Sequence, residues 1–163
     1  MIAGGDWEKN MKKEKKNLFQ QETLAEVISR IERLQPTSAG QWGKMDVAQM
    51  MAHCCLAMDM ALGRLNMPRV FIGRLIGPFL KPLLTNNTQP PRNAPTNPEL
   101  MVSGKRDFLY EQEQLKQKLH QFHDGGEAQC TRHPHPFVGK ISPYAWSRGM
   151  YKHLDHHLRQ FNV

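Results

Sequence analysis

Cysteine is scarce in this chain of 163 residues, which contains only three. Cys54 and Cys55 are neighbours and Cys130 stands alone, so the count is odd and no CxxC pair occurs. This pattern argues against a disulfide framework and favours free thiols in a reducing compartment.

Long apolar runs are also missing. Four residues interrupt the most apolar stretch, 70–84: Arg74, Pro78, Lys81 and Pro82. The stretch is therefore too short and too polar to span a bilayer. The first sixteen residues contain five lysines with no apolar segment behind them, so we expect no secretory signal. We predict a disordered N-terminal tail over residues 1–17 and a cytoplasmic protein without a membrane partner.

The basic charge is not gathered into one patch. Lysine and arginine outnumber the acidic residues by 22 to 15, which gives a formal charge of +7. The excess is spread along the chain, and five of the lysines belong to the expected tail. Without a basic stripe, a recognition-helix signature or an aromatic stacking platform, specific nucleic-acid binding is not expected.

Alternating β patterns of useful length are absent, whereas helical periodicity recurs. Four main helices are predicted, and each has a recognisable start or stop. The first helix is predicted to begin with a capping box of Thr23 and Glu26 and to stop before Pro36. The second runs from Asp46, which forms a capping box with Gln49, to Leu62. The third spans 107–122 and ends at 124–126, and the last opens at Ser142-Pro143.

A further apolar segment, Phe71 to Leu83, is predicted as a short helical cover over the bundle, kinked or divided at Gly77-Pro78. The Pro-rich stretch 86–98 is predicted as a surface loop. These elements favour an all-α four-helix bundle with a short extra helix between helices 2 and 3. Residues 18–163 are expected to form this single domain.

The last helix directs two histidines inward. Its apolar stripe comprises Trp146, Met150, His153, Leu154, His157, Leu158 and Phe161. His153 and His157 lie one turn apart within that stripe. Because a buried imidazole without a partner costs free energy, a shared divalent metal would satisfy both rings. This helix alone leaves open the alternative of ordinary, partly buried bundle histidines.

A third inward histidine is predicted on the second helix, where His53 lies at the edge of the apolar stripe. Its neighbour Cys54 is interpreted as a small buried apolar residue rather than a ligand, because adjacent helix residues diverge by about 100°. The remaining histidines are interpreted as solvated or loop residues: His120, His123, His133, His135 and His156.

Three separated segments resemble one known family. Residues 42–53 (WGKMDVAQMMAH) look like the second-helix signature of the DinB/YfiT-like superfamily, and residues 153–160 (HLDHHLRQ) resemble its last-helix motif HxxHHxxQ. Residues 135–139 (HPFVG) are similar to an HPxFG segment of one branch of unknown function. The resemblance covers roughly residues 17–163. It implies an up-down-down-up bundle that binds a divalent metal through His53, His153 and His157.

The resemblance also implies a class of chemistry. Members of the superfamily are thiol-dependent transferases, isomerases and metal-dependent hydrolases. The implied function is therefore a metal-dependent enzyme acting on a small molecule, with a low-molecular-weight thiol as partner. Zinc is the first choice of metal, with nickel or iron as alternatives, because histidine suits all of them. Many relatives pair as dimers, so a homodimer is also expected.

Three polar residues around these histidines receive predicted roles. Gln160, one turn after His157, is expected to hold that ring, whereas Asp155 is expected to be solvated. His135 is the best candidate for a general base, with a structural role in its loop as the favoured alternative.

The alternative function is a non-catalytic metal-binding helical bundle. A pocket that opens onto the histidines would favour the enzyme, whereas side chains that seal the site would favour the binding module. A third interpretation is a helical scaffold that holds no metal.

Overall fold

A computed structural model describes residues 15–94 and 97–163. Within these ranges the chain forms five α-helices and no strand, which confirms the predicted all-α class. The helices are α1 (Gln21–Glu32), α2 (Val47–Ala61), α3 (Phe71–Thr85), α4 (Phe108–Gln129) and α5 (Pro143–Gln160). One turn of 3-10 helix, Pro98–Leu100, precedes α4, and none of the described helices is long and apolar enough to cross a membrane.

Side-chain caps set the starts of three helices. The predicted box at α2 is confirmed, because Asp46 accepts from the Gln49 amide at 2.8 Å while the Gln49 side chain accepts from the Asp46 amide at 3.0 Å. Asp107 caps α4 by accepting from the Tyr110 amide, and Ser142 caps α5 by accepting from the Ala145 amide.

The start of α1 differs from the prediction. Thr23 does not cap this helix but is buried within it, and α1 begins after Gln20. Asn17 and Gln20 form the preceding turn: the Gln20 side chain accepts from the Asn17 amide at 3.1 Å, and the Asn17 side chain accepts from the Phe19 amide at 3.0 Å. This turn starts the helix before Thr23 can act as a cap.

Four helices enclose one apolar core. Helices α1 and α2 each pack against both α4 and α5, while α3 lies on α5. The largest fully buried side chains come from all four of the enclosing helices and the segments beside them: Leu18, Leu24, Ile31, Leu34, Met50, Met51, Met58, Met67, Leu115, Leu119, Phe122 and Leu154. Helix α5 therefore contacts three other helices, α1, α2 and α3, and little of its surface is exposed.

The extra helix is present but is not the short cover that was predicted. It is as long as α2 and runs through Pro78 and Pro82 without division. Its large apolar side chains point outward, with Phe71 76 % and Phe79 82 % exposed. Its buried residues are Gly73 and Gly77, which lie against the backbone of Phe137. Close backbone approach, rather than burial of bulky side chains, fixes α3.

Two boundaries need correction. The predicted end of the third main helix at 124–126 is a break rather than a stop, because Gly126 has φ 56° and helical turns resume as far as Gln129. Residues 1–14 of the expected tail lie outside the described residues. Asn17, also placed in that tail, is buried and accepts from the Ser147 hydroxyl at 3.2 Å, so packing starts before residue 18.

Candidate metal centre

The three histidines selected from the sequence lie together. The ring centroids are 4.9 Å apart for His53 and His153, 4.8 Å for His53 and His157, and 4.7 Å for His153 and His157. One ring nitrogen from each lies within 4.8 Å of the other two, and among the described residues no other group of three metal-binding side chains is this close. Helices α2 and α5 thus bring together a set of donors that could hold one metal ion.

A backbone carbonyl orients His53. Its Nδ1 lies 2.8 Å from the oxygen of Leu100, in the 3-10 helix before α4. Because a carbonyl only accepts, Nδ1 must donate, which leaves the Nε2 lone pair of the neutral ring free. A second group that fixes the tautomer in this way is typical of metal-binding histidines.

Gln160 performs the same task for His157. Its side-chain oxygen lies 2.8 Å from Nδ1 of His157, and its side-chain nitrogen donates to the carbonyl of Trp42 at 2.6 Å. The predicted contact between Gln160 and His157 is therefore present. The bond to Trp42 fixes the amide so that its oxygen faces the imidazole, and Nε2 of His157 keeps its lone pair.

His153 supplies the most informative atom of the site. Its Nε2 is buried and has no hydrogen-bond partner among the described residues. An unpaired buried nitrogen costs free energy, and natural structures contain few of them. A divalent metal shared with the other two rings removes this cost, so the residues present fit such an ion.

Burial keeps all three rings neutral near pH 7. It lowers the pKa of His53, and it lowers the pKa of His157 to about 4. A positive charge on His53 would lower the pKa of His157 further. Burial is the main cause that holds the pKa of His153 well below its usual range, and the neighbouring His157 and His53 lower it further. Neutral imidazole is the form that binds metals, so protons compete weakly for the site at pH 7.

A cavity of about 550 Å³ opens onto the three histidines. Among the described residues no acidic side chain lines it; beyond the three histidines, the polar lining consists of Lys44, Asn93, Asn97, His135, His156 and Gln160. Trp42 forms part of the wall, with the Arg92 guanidinium 4.5 Å from its ring and the His156 ring 5.5 Å away. The volume lies within the range of small-molecule sites, and all three histidines contribute to the lining.

His135 has the structural role that was favoured for it. Its Nδ1 accepts from the Phe137 amide at 3.2 Å, and its backbone pairs in both directions with Gly139. Burial lowers its pKa to about 4. The neutral ring therefore carries its proton on Nε2 and has no free lone pair with which to act as a base, although it does line the cavity.

Asp155 was predicted to be solvated, and this is wrong. It is buried, and its carboxylate accepts from Arg30 at 2.7 Å, Gln89 at 2.8 Å and Arg159 at 3.0 Å. Burial raises the pKa of this carboxyl, but the bonds from Arg30 and Arg159 outweigh that effect and lower it. The error has a physical cause: α5 has helices on three sides, so a position beside its apolar stripe is also covered.

Other residues of the site gave no clear sequence signal. Leu100 contributes only a carbonyl, and Trp42 and Arg92 come from loops whose paths the helical pattern does not define. His156 was interpreted with the solvated or loop histidines, yet it is half-buried and lines the cavity. Cys54 is buried with its sulfur 3.7 Å from that of Met50, in keeping with its predicted packing role.

The match to a known family covers nearly the whole chain. A family described as "Protein of unknown function (DUF1569)" matches residues 12–163. The chain belongs to the DUF1569 family. The matched range contains all five helices and all three histidines, so the candidate centre is part of the DUF1569 domain. No curated protein and no solved structure matches this DUF1569 chain.

Proposed function

We propose that this DUF1569 protein is a metal-dependent enzyme that acts on a small molecule and holds one divalent ion through Nε2 of His53, His153 and His157. The Nε2 of His153, which has no hydrogen-bond partner in the described part of the chain, carries the proposal, since it is buried beside two other neutral imidazoles with free lone pairs. Zinc is the first choice and nickel or iron are the alternatives, because imidazole binds all three.

The chemistry follows from the donor set. Three neutral imidazoles leave the ion its full positive charge, and such an ion supplies Lewis acidity that makes a water or thiol a better nucleophile near neutral pH. The protein contributes the orientation of the rings through Leu100 and Gln160 and a cavity beside them. A thiol-dependent transferase or a hydrolase is the reaction class proposed.

The proposal includes membership of the DinB/YfiT-like superfamily. Its support is the closed ring of α1, α4, α2 and α5, which is the arrangement of a four-helix bundle, together with the motif resemblance in residues 42–53 and 153–160. A cytoplasmic location, a low-molecular-weight thiol as partner and a homodimer belong to the same proposal. The free, buried cysteines support the reducing location.

A non-catalytic metal-binding module is the competing function. The open cavity favours the enzyme, because a site that only stores or binds a structural metal is normally closed by a fourth protein ligand. Among the described residues no fourth histidine, cysteine or acidic residue joins the group.

Metal content and turnover test the proposal together. Zinc-loaded protein should contain one ion per chain, and His53→Ala, His153→Ala and His157→Ala should each lose it, whereas His156→Ala, on the same helix, should retain it. Turnover is followed with 4-nitrophenyl acetate for hydrolysis and with 1-chloro-2,4-dinitrobenzene plus glutathione for transfer to a thiol. Equal metal content in all variants would contradict the ligand set, and zinc binding without any metal-dependent turnover across a wider panel would favour the module.

A further inference from the structure

A second cavity, of about 320 Å³, lies between α3 and α5. It shares five lining residues with the larger cavity: Pro90, Pro91, His135, Met150 and His153. The two spaces therefore lie side by side at His153, the residue whose Nε2 has no partner among the described residues.

The wall of the smaller cavity is mainly apolar. The apolar side chains come from α3, the loop after it, α5 and the segment just before α5, and they include Leu83, Leu84, Pro91, Ile141, Trp146 and Met150. Gly149 contributes a stretch of α5 without a side chain, and Trp146 packs on the His135 ring with centroids 5.2 Å apart.

The charged and amide groups at this wall are used elsewhere. The Lys152 ammonium donates to the Leu83 carbonyl and, at 2.9 Å, to the Asn86 side chain. The Gln89 amide donates to Asp155 at 2.8 Å. Among the described residues no acidic side chain lines this space, so a ligand there would meet hydrocarbon rather than free charge.

We infer that the smaller cavity is a subsite for an unbranched aliphatic arm of the substrate, whose polar reacting group lies at the three histidines in the larger cavity. The inference rests on the proposed function for the position of that reacting group. Met150, which borders both spaces, has the flexible side chain that an arm passing between them requires. The substrate class is thus an acyl or alkyl compound with a polar head.

Straight-chain hydroxamates from acetohydroxamate to octanohydroxamate test this with zinc-loaded protein. The hydroxamate group chelates zinc, and calorimetry gives Kd for each chain length. In the native protein each added methylene should tighten binding by about fourfold until the cavity is full. Binding that does not change with chain length would overturn the inference.

Two variants locate the arm. Gly149→Leu projects a side chain into the smaller cavity and should abolish the dependence on chain length while leaving zinc content and acetohydroxamate binding unchanged. Gly149→Ala is the matched control, since its Cβ would only touch Leu84 at 3.4 Å. Thr88→Trp narrows the cavity from an exposed loop position, and it too should abolish the dependence of Kd on chain length. It replaces Gly149→Leu in the test if that variant does not fold. Full chain-length dependence in both Gly149→Leu and Thr88→Trp would overturn the inference.

A metal-free experiment separates this inference from the proposed function. Alcohols from 1-propanol to 1-octanol are titrated into metal-free protein while the methyl resonances of Ile141 and Met150 are followed. The subsite is supported if longer alcohols shift these resonances at lower concentration and if Gly149→Leu abolishes the shifts. This result would stand even if acetohydroxamate failed to bind zinc-loaded protein, because that failure would count against the metal centre alone. Alcohol binding that leaves these methyl groups unmoved would overturn the subsite.

Discussion

At the scale of single residues, Gln160 connects the candidate centre to the loop before α2. It accepts from His157 and donates to the Trp42 carbonyl, so its amide sets the direction in which the imidazole presents Nε2. Loss of such an orienting partner typically weakens metal affinity by about 10- to 100-fold.

Replacing Gln160 tests this role. Gln160→Ala should weaken zinc binding by about 10- to 100-fold, because His157 loses the acceptor that fixes its tautomer. Gln160→Glu keeps that acceptor and should restore part of the affinity, although its second carboxylate oxygen would face the Trp42 carbonyl without a proton to donate. Competition titration with a coloured zinc chelator measures both. If alanine and glutamate variants bound zinc equally, Gln160 would have only a packing role.

Asp155 gives a second prediction at this scale. Its side chain is 4 % exposed and that of Arg30 is 10 % exposed, so Asp155→Ala would leave a buried guanidinium without its carboxylate. Loss of one partner of a buried pair costs about 3–5 kcal/mol of the free energy of unfolding. Urea denaturation measures it, with Glu113→Ala as control, since the pair of Glu113 with Lys116 is exposed to solvent and contributes little to stability. Equal stability of the two variants would contradict the buried pair.

At the scale of secondary-structure elements, α3 packs in an unusual way. Its glycines approach the chain at Phe137 while its bulky side chains remain exposed. An added Cβ at Gly77 would clash with the Phe137 carbonyl oxygen, which cannot move without shifting the loop that contains His135.

Gly77→Ala should therefore destabilise the protein. In an ordinary helix interior this change stabilises by about 0.5–1 kcal/mol, but here overpacking should reverse the sign and cost about 1–3 kcal/mol. Urea denaturation gives the free energy, and trypsin cleavage after Arg74 reports on local release of α3. Phe79→Ser is the control and should change stability by less than about 0.5 kcal/mol. A stabilised Gly77→Ala variant would show that α3 does not pack on this loop.

The extent to which the sequence defined these elements depends on their surroundings. The caps at Asp46 and Ser142 were identified correctly because capping is local, involving residues three apart. The exposure of the apolar face of α3 was not predicted, because apolar periodicity reveals an apolar stripe but not whether another element covers that stripe. Asp155 was misplaced for a related reason: the number of helices packed around α5 is a property of the fold. His53, His153 and His157 were found because burial of imidazoles on two separate helices is visible in each helical pattern.

At the scale of the whole molecule, the three thiols report on the integrity of the core. Burial holds the pKa of Cys54 well above its usual range, and it raises the pKa of Cys55 to about 12 and that of Cys130 to about 11. Since the thiolate is the reactive form, all three should react slowly with a disulfide reagent at pH 8 in the native protein. In urea three thiols per chain should react rapidly. A thiol that reacts at the unfolded rate in native protein would contradict the packing around it.

The central claim is a single ion held by three imidazoles from α2 and α5. Anomalous diffraction at the zinc edge, on crystals of zinc-loaded protein, tests it most directly. One peak per chain is expected, about 2.0–2.1 Å from Nε2 of His53, His153 and His157. A peak at other histidines such as His120 or His133, or no peak at all after zinc loading, would contradict the account.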